Sequence, residues 1–401
     1  MENVRFLTQN FGRYDTSSIG SYMNVGGFSA LRKAVTMDGE DIASLIAENK
    51  VKGRGGAEYD MGRKWSQARK VHGENKVIIC NADEGETTTF KDRELIKNDP
   101  FNLVEAMIIA GYVMGATDGY IYMRAEYACY RPLLLNAIRQ AKSYGFLGTN
   151  ILGKGFDFNL HLYSGAGAYV CGEGTALIRS IEGKAGRPRM KPPFIKVSGL
   201  FARPTCLNNV ESLSLVPHLL LDDKKVYQSY GTENSVGTKL RDIIAMAGGV
   251  QGGRKIQLIQ TGGASGKVQA GTDEVLDTPY TYEDLKSINL TVGSGGVLVV
   301  DDRTSVIDFL RMNQEFFSEE CCGQCTPCRE GNVHIALFLE KLKAGTLTQD
   351  ERDLMANIAE VMSRSSLCGL GETAQNSLLA AMQVFPEVFD VSENAGGALH
   401  A

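Results

Sequence analysis

The sequence contains few histidines and no long basic or apolar run. Its five histidines are scattered along 401 residues, and no Ser/His/Asp arrangement can be assembled from them. General acid–base catalysis by histidine is therefore not indicated. The net charge of −5 and the absence of a long basic block argue against nucleic acid as a partner, because phosphate binding normally requires a basic surface.

The longest apolar stretch, residues 104–116, is shorter than the roughly 20 residues that a transmembrane helix needs, and it includes Glu105. It predicts a buried helix rather than a membrane span. The first 15 residues have no apolar core of the kind that a secretory signal requires. We therefore expect a cytoplasmic protein with no direct membrane insertion.

The length predicts two or three domains, and 43% hydrophobic with 22% charged residues is typical of a globular protein. Residues 1–225 alternate apparent strands and helices. Strands are predicted at 77–80 and 119–123, and a helix at 133–144 follows Pro132. This alternation is typical of an α/β layered domain.

Glycine pairs interrupt the next region, residues 226–302, where the pattern predicts a helix at 238–246 and strands at 255–260 and 297–300. A small, turn-rich β domain with one helix fits this pattern. Residues 303–401 are predicted to form a small helical bundle.

In the bundle region, Thr348 and Glu351 have the spacing of a capping box. Apolar residues then follow at helical spacing, and helices are also predicted at 331–342 and 373–382. The apolar residues after the capping box are Leu354, Ile358, Val361 and Met362.

The cysteines carry the most specific signal. Five of the nine lie in the last quarter, and three of them form the run Cys322-Gly-Gln-Cys325-Thr-Pro-Cys328. Three thiolates at this spacing can bind three corners of a cuboidal iron–sulfur cluster, and a distant fourth closes the last corner. Cys368, between glycine-rich neighbours, is the candidate for the fourth ligand.

Zinc and free buried thiols are the alternatives to a cluster. Zinc usually takes paired CxxC units or mixed cysteine and histidine ligands, and only His334 lies near the run. Cys321 adjoins a predicted ligand. We interpret it as a spectator or as part of the hydrogen-bond shell of the ligand sulfurs.

Three further segments carry features of a cofactor site. A glycine loop at 53–57 precedes Lys64 and offers backbone amides and a cation to a phosphate, although it is neither a P-loop nor a Rossmann fingerprint. The polar segment 81–86 follows a predicted strand, where α/β proteins bind ligands, although a solvated loop fits it equally well. The glycine-rich segment 163–173 is followed by the cationic segment 187–194, which suits a pyrophosphate.

Taken together, these motifs resemble the NADH-binding flavoprotein subunit of respiratory complex I and its relatives in NAD(P)-linked hydrogenases and formate dehydrogenases. The resemblance covers nearly the whole chain. It implies an FMN-binding α/β core, a ubiquitin-like β-grasp (soluble-ligand-binding-β, SLBB) domain, and a C-terminal helical bundle carrying a [4Fe–4S] cluster.

The resemblance also implies site residues. Seven positions match those that hold FMN: Gly53, Lys64, Asn81, Asp83, Glu173, Asn208 and Asn209. Four match the nicotinamide-nucleotide pocket, with aromatic rings for stacking on adenine: Tyr59, Glu86, Lys191 and Phe194. The expected cofactor-binding set is completed by Arg54, Gly55, Gly56, Glu84, Gly172 and Gly174, and the expected cluster ligands are Cys322, Cys325, Cys328 and Cys368.

The implied activity is hydride transfer between NAD(P)H and FMN, followed by single-electron transfer to the cluster. FMN performs the chemistry, so no side chain is expected to be catalytic, and Glu86 is expected to support the site. NAD(H) is the expected nucleotide, with NADP(H) as the alternative.

This chain departs from the family pattern in the nucleotide pocket. Gln67 replaces a usual second aromatic residue, and Gly174 replaces an acid. Because an acid beside the adenosine ribose repels a 2′-phosphate, its loss at Gly174 suggests relaxed discrimination against NADP(H). Cys321 replaces a usual serine before the first cluster cysteine.

The expected partners are a thioredoxin-like [2Fe–2S] subunit and a catalytic iron–sulfur subunit such as a hydrogenase or formate dehydrogenase, with ferredoxin as a further candidate. The altered pocket favours a soluble assembly, electron-bifurcating chemistry included, over membrane complex I. The competing interpretation is an electron-relay subunit without a working nucleotide site. A ligand-binding module built on the β-grasp domain would leave the cysteines unexplained.

Overall fold

The computed structural model describes residues 5–73, 75–229 and 237–391. Contacts between Cα atoms divide the chain into two compact units. The first contains Met1–Gly85 and Thr89–Gly231, and the second contains Glu86–Thr88 and Thr232–Ala401. The predicted division into three domains, at 225/226 and 302/303, stays a prediction.

The first unit is built around a parallel four-stranded sheet. Its strands are β1 (Lys76–Ala82), β2 (Ala116–Met123), β3 (Asn159–Ser164) and β4 (Thr205–Asn209), and their spatial order is β3-β2-β1-β4. The chain moves from β1 through β2 to β3 on one side and then returns to place β4 on the other side of β1. The carboxyl ends of β1 and β4 therefore form a switch point, the usual ligand position in open α/β sheets.

Ten helices accompany this sheet in the part of the chain that the structure describes, and the predicted strands at 77–80 and 119–123 are confirmed as β1 and β2. The helices are α1 (Ile19–Asn24), α2 (Ser29–Ala34), α3 (Gly39–Glu48), α4 (Met61–Arg69), α5 (Lys91–Asn98), α6 (Pro100–Met114), α7 (Arg131–Ser143), α8 (Gly174–Ile181), α9 (Val210–Leu220) and α10 (Val226–Ser229).

Helix α6 is the buried helix that the apolar stretch predicted. Pro100 lies in its first turn, and Gly115 ends it in the left-handed conformation at φ 63°. Glu105 lies inside this helix at 1% exposure, and its carboxylate accepts hydrogen bonds from Tyr22 Oη (2.7 Å), Phe28 N (2.8 Å) and Leu31 N (2.9 Å). A single buried carboxylate thus ties α6 to the first two helices.

The second unit combines a small sheet with a helical region. Its strands β5 (Ile256–Thr261), β6 (Val268–Ala270) and β7 (Val297–Asp301) pair antiparallel in the order β6-β5-β7. The predicted strands at 255–260 and 297–300 are confirmed as β5 and β7, whereas the β-grasp assignment stays a prediction. The helices are α11 (Leu240–Met246), α12 (Asp273–Leu276), α13 (Tyr282–Ser287), α14 (Val306–Glu319), α15 (Thr326–Lys343), α16 (Gln349–Ser365), α17 (Gly369–Thr373) and α18 (Asn376–Val384).

The helical region confirms the capping box at Thr348 and Glu351, which begins α16. The buried residues of α16 are Met355, Ala359 and Met362, whereas Leu354 and Val361 are about half exposed. The predicted helix at 373–382 is wrong at its start, because α17 ends at Thr373 and α18 begins only at Asn376. Within the described ranges, no helix has both the length and the hydropathy needed to cross a membrane.

Candidate functional site

The carboxyl ends of β1 and β4 bring the predicted asparagines together. Strand pairing sets Cys80 opposite Asn208 and Asn81 opposite Asn209. Asn81 Nδ2 donates to Gly172 O at 2.8 Å, and Asn81 Oδ1 accepts from Asp83 N at 3.0 Å. Three segments far apart in the sequence therefore meet at the switch point.

The glycine loop lies against the start of α9. Arg54 N donates to Ser212 Oγ at 3.0 Å, and the Arg54 side chain pairs with Glu211 at 3.0 Å. A Cβ atom at Gly55 would lie 3.5 Å from Asn209 Cβ, and Gly56 has φ +95°, which favours glycine. The predicted loop is thus placed beside the predicted asparagines.

Lys64 extends from α4 toward the end of β4 and donates to Leu207 O at 3.0 Å. It has no carboxylate at ion-pair distance among the residues that the structure describes. Burial lowers the pKa of Lys64, while the nearby Cys206 opposes that shift. A partly buried ammonium without an anionic partner is suited to a bound phosphate, as FMN would supply.

A buried charge network beside this site was not predicted from the sequence. Lys91 Nζ contacts Asp92 Oδ1 (2.7 Å), Asn209 Oδ1 (3.0 Å) and Glu211 Oε2 (3.1 Å). Asn209 Nδ2 donates to Asp92 Oδ2 at 2.6 Å, and Asn209 Oδ1 caps α9 by accepting from Glu211 N at 3.0 Å. The Asn209 side chain, predicted as an FMN contact, is thus engaged within the protein.

Glu84 has a similar internal role. It is 5% exposed, and its carboxylate accepts from Asp92 N (2.9 Å), Arg93 N (3.1 Å) and Tyr127 Oη (2.8 Å). These amides belong to the first turn of α5, where a carboxylate is favourable. The side chain predicted as a cofactor contact therefore supports the loop that carries Asp83.

Glu173 and Lys191 form the second part of the predicted site. Glu173 caps α8 by accepting from Thr175 N (2.8 Å) and Ala176 N (3.0 Å), and Lys191 Nζ donates to its other oxygen at 2.8 Å. Burial would raise the pKa of Glu173, but the hydrogen bonds from Lys191 and Thr175 and the Lys191 charge lower it overall. Glu173 is therefore ionised and paired.

Gly174, the first residue of α8, has room for a side chain. A Cβ atom there would lie 3.6 Å from Ile195 Cδ1 and 3.6 Å from Leu207 Cδ1, both ordinary van der Waals distances. Packing around Cβ therefore does not require a glycine at this position.

Beyond these residues, the structure groups a cation with the predicted aromatic position. Tyr59 is 42% exposed and its hydroxyl donates to Gln67 Oε1 at 3.4 Å. Lys196 Nζ donates to the same oxygen at 2.9 Å. Lys196 was not singled out from the sequence, since no local motif marks it. Phe194 is 55% exposed.

Glu86 belongs to the second compact unit. Its carboxylate accepts from Ala264 N at 2.6 Å and from Ser265 Oγ at 3.3 Å. A role for Glu86 in the nucleotide pocket stays a prediction.

Three of the four candidate cluster ligands lie at the starts of two helices, and the fourth, Cys322, lies between α14 and α15. Cys325 precedes α15 and Cys328 lies in its first turn, while Cys368 precedes α17. Burial raises the pKa of Cys328, and the neighbouring Cys321, Cys325 and Cys368 raise it further.

The surroundings of Cys328 fit a cluster. Ser366 Oγ is buried and has no hydrogen-bond partner among the residues that the structure describes. A Cβ atom at Gly371 would lie 2.9 Å from Cys328 Cβ and 2.5 Å from Ser366 Oγ, so only glycine lets the Cys368 loop approach so closely. Thiolate ligands, an unused hydroxyl and a close backbone suit an iron–sulfur cluster.

The fold and these two sites define a flavin- and iron–sulfur-binding oxidoreductase subunit. Residues 46–218 match the family model of the Nuo51 FMN-binding domain, and residues 308–392 match that of the NADH-ubiquinone oxidoreductase-F iron-sulfur binding region. The chain belongs to this family of NAD(P)H oxidoreductase flavoproteins, with FMN and a [4Fe–4S] cluster as its cofactors.

Relatives cover nearly the whole chain. The NADP-reducing hydrogenase subunit HndC of Solidesulfovibrio fructosivorans is 38% identical over 97% of this chain and 83% of its own length. An NADH-quinone oxidoreductase subunit of Rhizobium meliloti (strain 1021) is 36% identical over 96% of both chains. The family resemblance inferred from the motifs is thereby confirmed.

Comparison with a solved structure also supports membership of this family. The crystal structure of NAD⁺-reducing [NiFe]-hydrogenase in the H₂-reduced state matches with a TM-score of 0.81 and 32% identity. The match covers 88% of this chain and 62% of that chain, so this chain spans less than two thirds of that hydrogenase chain. The predicted α/β core with a helical C-terminal region is confirmed.

Proposed function

We propose that this subunit binds FMN at the carboxyl ends of β1 and β4, takes up hydride from NAD(P)H there, and delivers electrons to a cluster held by Cys322, Cys325, Cys328 and Cys368. FMN supplies the conversion between two-electron and one-electron chemistry when it is bound. The protein contributes binding, orientation and charge.

The observation that carries the proposal is the position of Lys64. Its ammonium lies at the switch point, bonded only to a backbone carbonyl among the described contacts, and the loop at 53–57 lies beside the same strand end. Lys64 and the loop amides, including that of Gly55, would hold the FMN phosphate. Gly53 N donates to Tyr59 O at 2.8 Å, so Gly53 would shape the loop instead. Asn81, Asp83 and Asn208 would face the remainder of the flavin.

Three residues of the expected cofactor-binding set would position other residues of the FMN site. Arg54 pairs with Glu211, and Asn209 joins the Lys91 network, so both orient the phosphate loop. Glu84 supports the loop after β1 through its bonds to α5.

The nucleotide would lie along the segment that contains Gly172 and Gly174, with the rings of Tyr59 and Phe194 available for stacking. Glu173, between these glycines, would face FMN. Lys191 is held by Glu173 and would neutralise pyrophosphate charge.

We assign both nicotinamide nucleotides to the pocket. No acid stands at Gly174, and Lys196 offers a cation held by Gln67 near Tyr59. Both features favour a 2′-phosphate electrostatically. A relative at 38% identity carries the name NADP-reducing hydrogenase, which supports the same interpretation.

The subunit would act within a soluble multi-subunit hydrogenase, formate dehydrogenase or ferredoxin-linked complex. A thioredoxin-like [2Fe–2S] subunit would carry electrons onward from the cluster. Hydrogenases occur among the similar proteins of known name and of known structure. Membrane complex I is the second candidate, favoured by the 36% identity to an NADH-quinone oxidoreductase subunit.

The test is an anaerobic titration of the purified complex, separately with NADH and NADPH. We expect a spectrum with flavin and iron–sulfur bands that either nucleotide bleaches. Chromophores that neither nucleotide bleaches would support the electron-relay alternative and refute the pocket assignment. The subunits that copurify distinguish a hydrogenase or formate dehydrogenase from complex I.

A further inference from the structure

The sulfur of Cys328 has two hydrogen-bonding neighbours that are not predicted cluster ligands. Cys321 Sγ lies 3.4 Å from Cys328 Sγ, and Asn332 Nδ2 lies 3.4 Å from the same atom. Cys328 is 5% exposed and Asn332 is 1% exposed. The Asn332 contact is therefore shielded from water, where hydrogen bonds act more strongly, and the Cys321 contact is partly shielded.

Buried side chains determine which end of the Asn332 amide faces the sulfur. Asn332 Oδ1 accepts from Gln314 Nε2 at 3.0 Å and from Gln375 Nε2 at 3.2 Å. Gln375 Nε2 also donates to Gln314 Oε1 at 2.9 Å. Because the oxygen of Asn332 is engaged by two donors, its amino group points to Cys328.

The three amides come from different parts of the bundle. Gln314 lies on α14 and Asn332 on α15, while Gln375 immediately precedes α18. All three are at most 4% exposed. Burying three amides is unfavourable unless their hydrogen bonds are satisfied, and here each bonds to another member of the set.

We propose that Asn332 and Cys321 donate hydrogen bonds to the Cys328 thiolate and thereby raise the midpoint potential of the cluster. Gln314 and Gln375 act as positioning residues for Asn332. Reduction adds negative charge that is shared with the ligand sulfurs, so donors to a sulfur stabilise the reduced state more than the oxidised state. This inference rests on the proposed function only in placing the cluster on Cys328.

The experiment uses the complete complex carrying Cys321→Ala, Cys321→Ser or Asn332→Ala, with the cluster followed by EPR during a redox titration. The alanine variants are expected to shift its midpoint potential to more negative values. Cys321→Ser is expected to keep the midpoint potential near or above the wild-type value, because a hydroxyl is a stronger hydrogen-bond donor than a thiol.

Two matched controls remove the same groups elsewhere. Cys129→Ser changes an exposed cysteine in the first unit, and Asn313→Ala removes an amide that donates to Ala264 O and Ser377 Oγ rather than to sulfur. Neither is expected to move the potential. Iron and sulfide content is measured for each variant.

Unchanged potentials in alanine variants that retain a full cluster would overturn the inference and leave the proposed function intact. A wild-type complex without iron would instead refute the proposed function. If Cys321→Ala lost the cluster while Cys322→Ala kept it, Cys321 would be a ligand and the inference would be wrong.

Should the variants fail to assemble, the inference is tested by pulsed EPR of the reduced wild-type complex after exchange into D₂O. Exchangeable protons coupled to the cluster are expected, and their absence would overturn the inference.

Discussion

Asn209 Nδ2 donates a 2.6 Å hydrogen bond to Asp92 Oδ2, which joins the end of β4 to the first turn of α5. The same asparagine accepts from Lys91 Nζ at 3.0 Å. Burial would lower the pKa of Lys91, but the charges of Asp92 and Glu211 outweigh it and raise that pKa. Lys91 is therefore a buried cation held between carboxylates, and one of them, Glu211, also pairs with Arg54 of the glycine loop.

Replacing Lys91 by methionine should destabilise the first unit strongly. The substitution leaves the carboxylates of Asp92 and Glu211 buried without their shared cation, and breaking such a pair typically costs about 3–5 kcal/mol. Trp65, the only tryptophan, is fully buried on α4, so its fluorescence reports unfolding of this unit. The control is Lys33→Met, which removes an exposed pair with Asp223 and should cost less than about 1 kcal/mol. Equal losses in both variants would contradict a special role for the network.

Replacing Lys64 by methionine should weaken FMN binding without unfolding the protein. A charge-assisted hydrogen bond contributes about 1.5–3 kcal/mol, so affinity should fall roughly tenfold to a hundredfold. Flavin content after dialysis and titration of the apoprotein with FMN measure this. Lys70→Met, which alters an exposed lysine paired with Glu40, should leave affinity unchanged. Wild-type affinity in the Lys64 variant would remove Lys64 from the phosphate site.

Introducing an acid at Gly174 should shift nucleotide preference toward NADH. The packing has room for Cβ, so we expect folding to be retained. The new charge should repel a 2′-phosphate and lower kcat/KM for NADPH relative to NADH by about tenfold. Gly174→Gln, of similar size but uncharged, separates charge from bulk. If Gly174→Glu leaves the NADPH/NADH ratio unchanged, the assignment of this position is wrong.

Replacing Lys196 by glutamine should also shift nucleotide preference toward NADH. Removal of the ammonium that Gln67 holds should raise KM for NADPH about tenfold while leaving KM for NADH nearly unchanged. Lys184→Gln, an exposed lysine paired with Glu182, provides the control. A parallel loss for both nucleotides would indicate a structural role for Lys196 rather than recognition of a phosphate.

Glu105 should make the stability of the first unit depend on pH. Burial raises its pKa from 4.5 to about 7, against the opposing hydrogen bonds from Tyr22, Leu31 and Phe28. Between these values the folded chain retains a proton that the unfolded chain has lost, so this contribution to stability falls as pH rises from about 4.5 to about 7. Glu105→Gln should remove that decline, measured as the difference in unfolding free energy by Trp65 fluorescence. The control is Asp41→Asn, which changes an exposed carboxylate on α3 and should leave the decline in stability unchanged.

Much of the local structure was predictable from the sequence. The apolar stretch of α6, the strand β1 and the capping box of α16 depend on residues within one strand or a few helical turns, and each is confirmed. The cysteine spacing and the glycine loop likewise act locally, which is why the family resemblance could be recognised from them. The helix start predicted at Thr373 was wrong because apolar spacing continues across the break before Asn376.

The sequence by itself therefore determined the helices and strands named above and the class of cofactor, which the cysteine run indicates. Only the tertiary structure decided how individual side chains are used. Lys91 meets Asn209 because β1 and β4 are neighbours, although 118 positions separate the two residues. Asn332 faces Cys328 because amides from α14 and the start of α18 engage its oxygen. Hydrogen-bond and charge partners are set by proximity in space, and local sequence patterns carry no information about which distant partner will arrive.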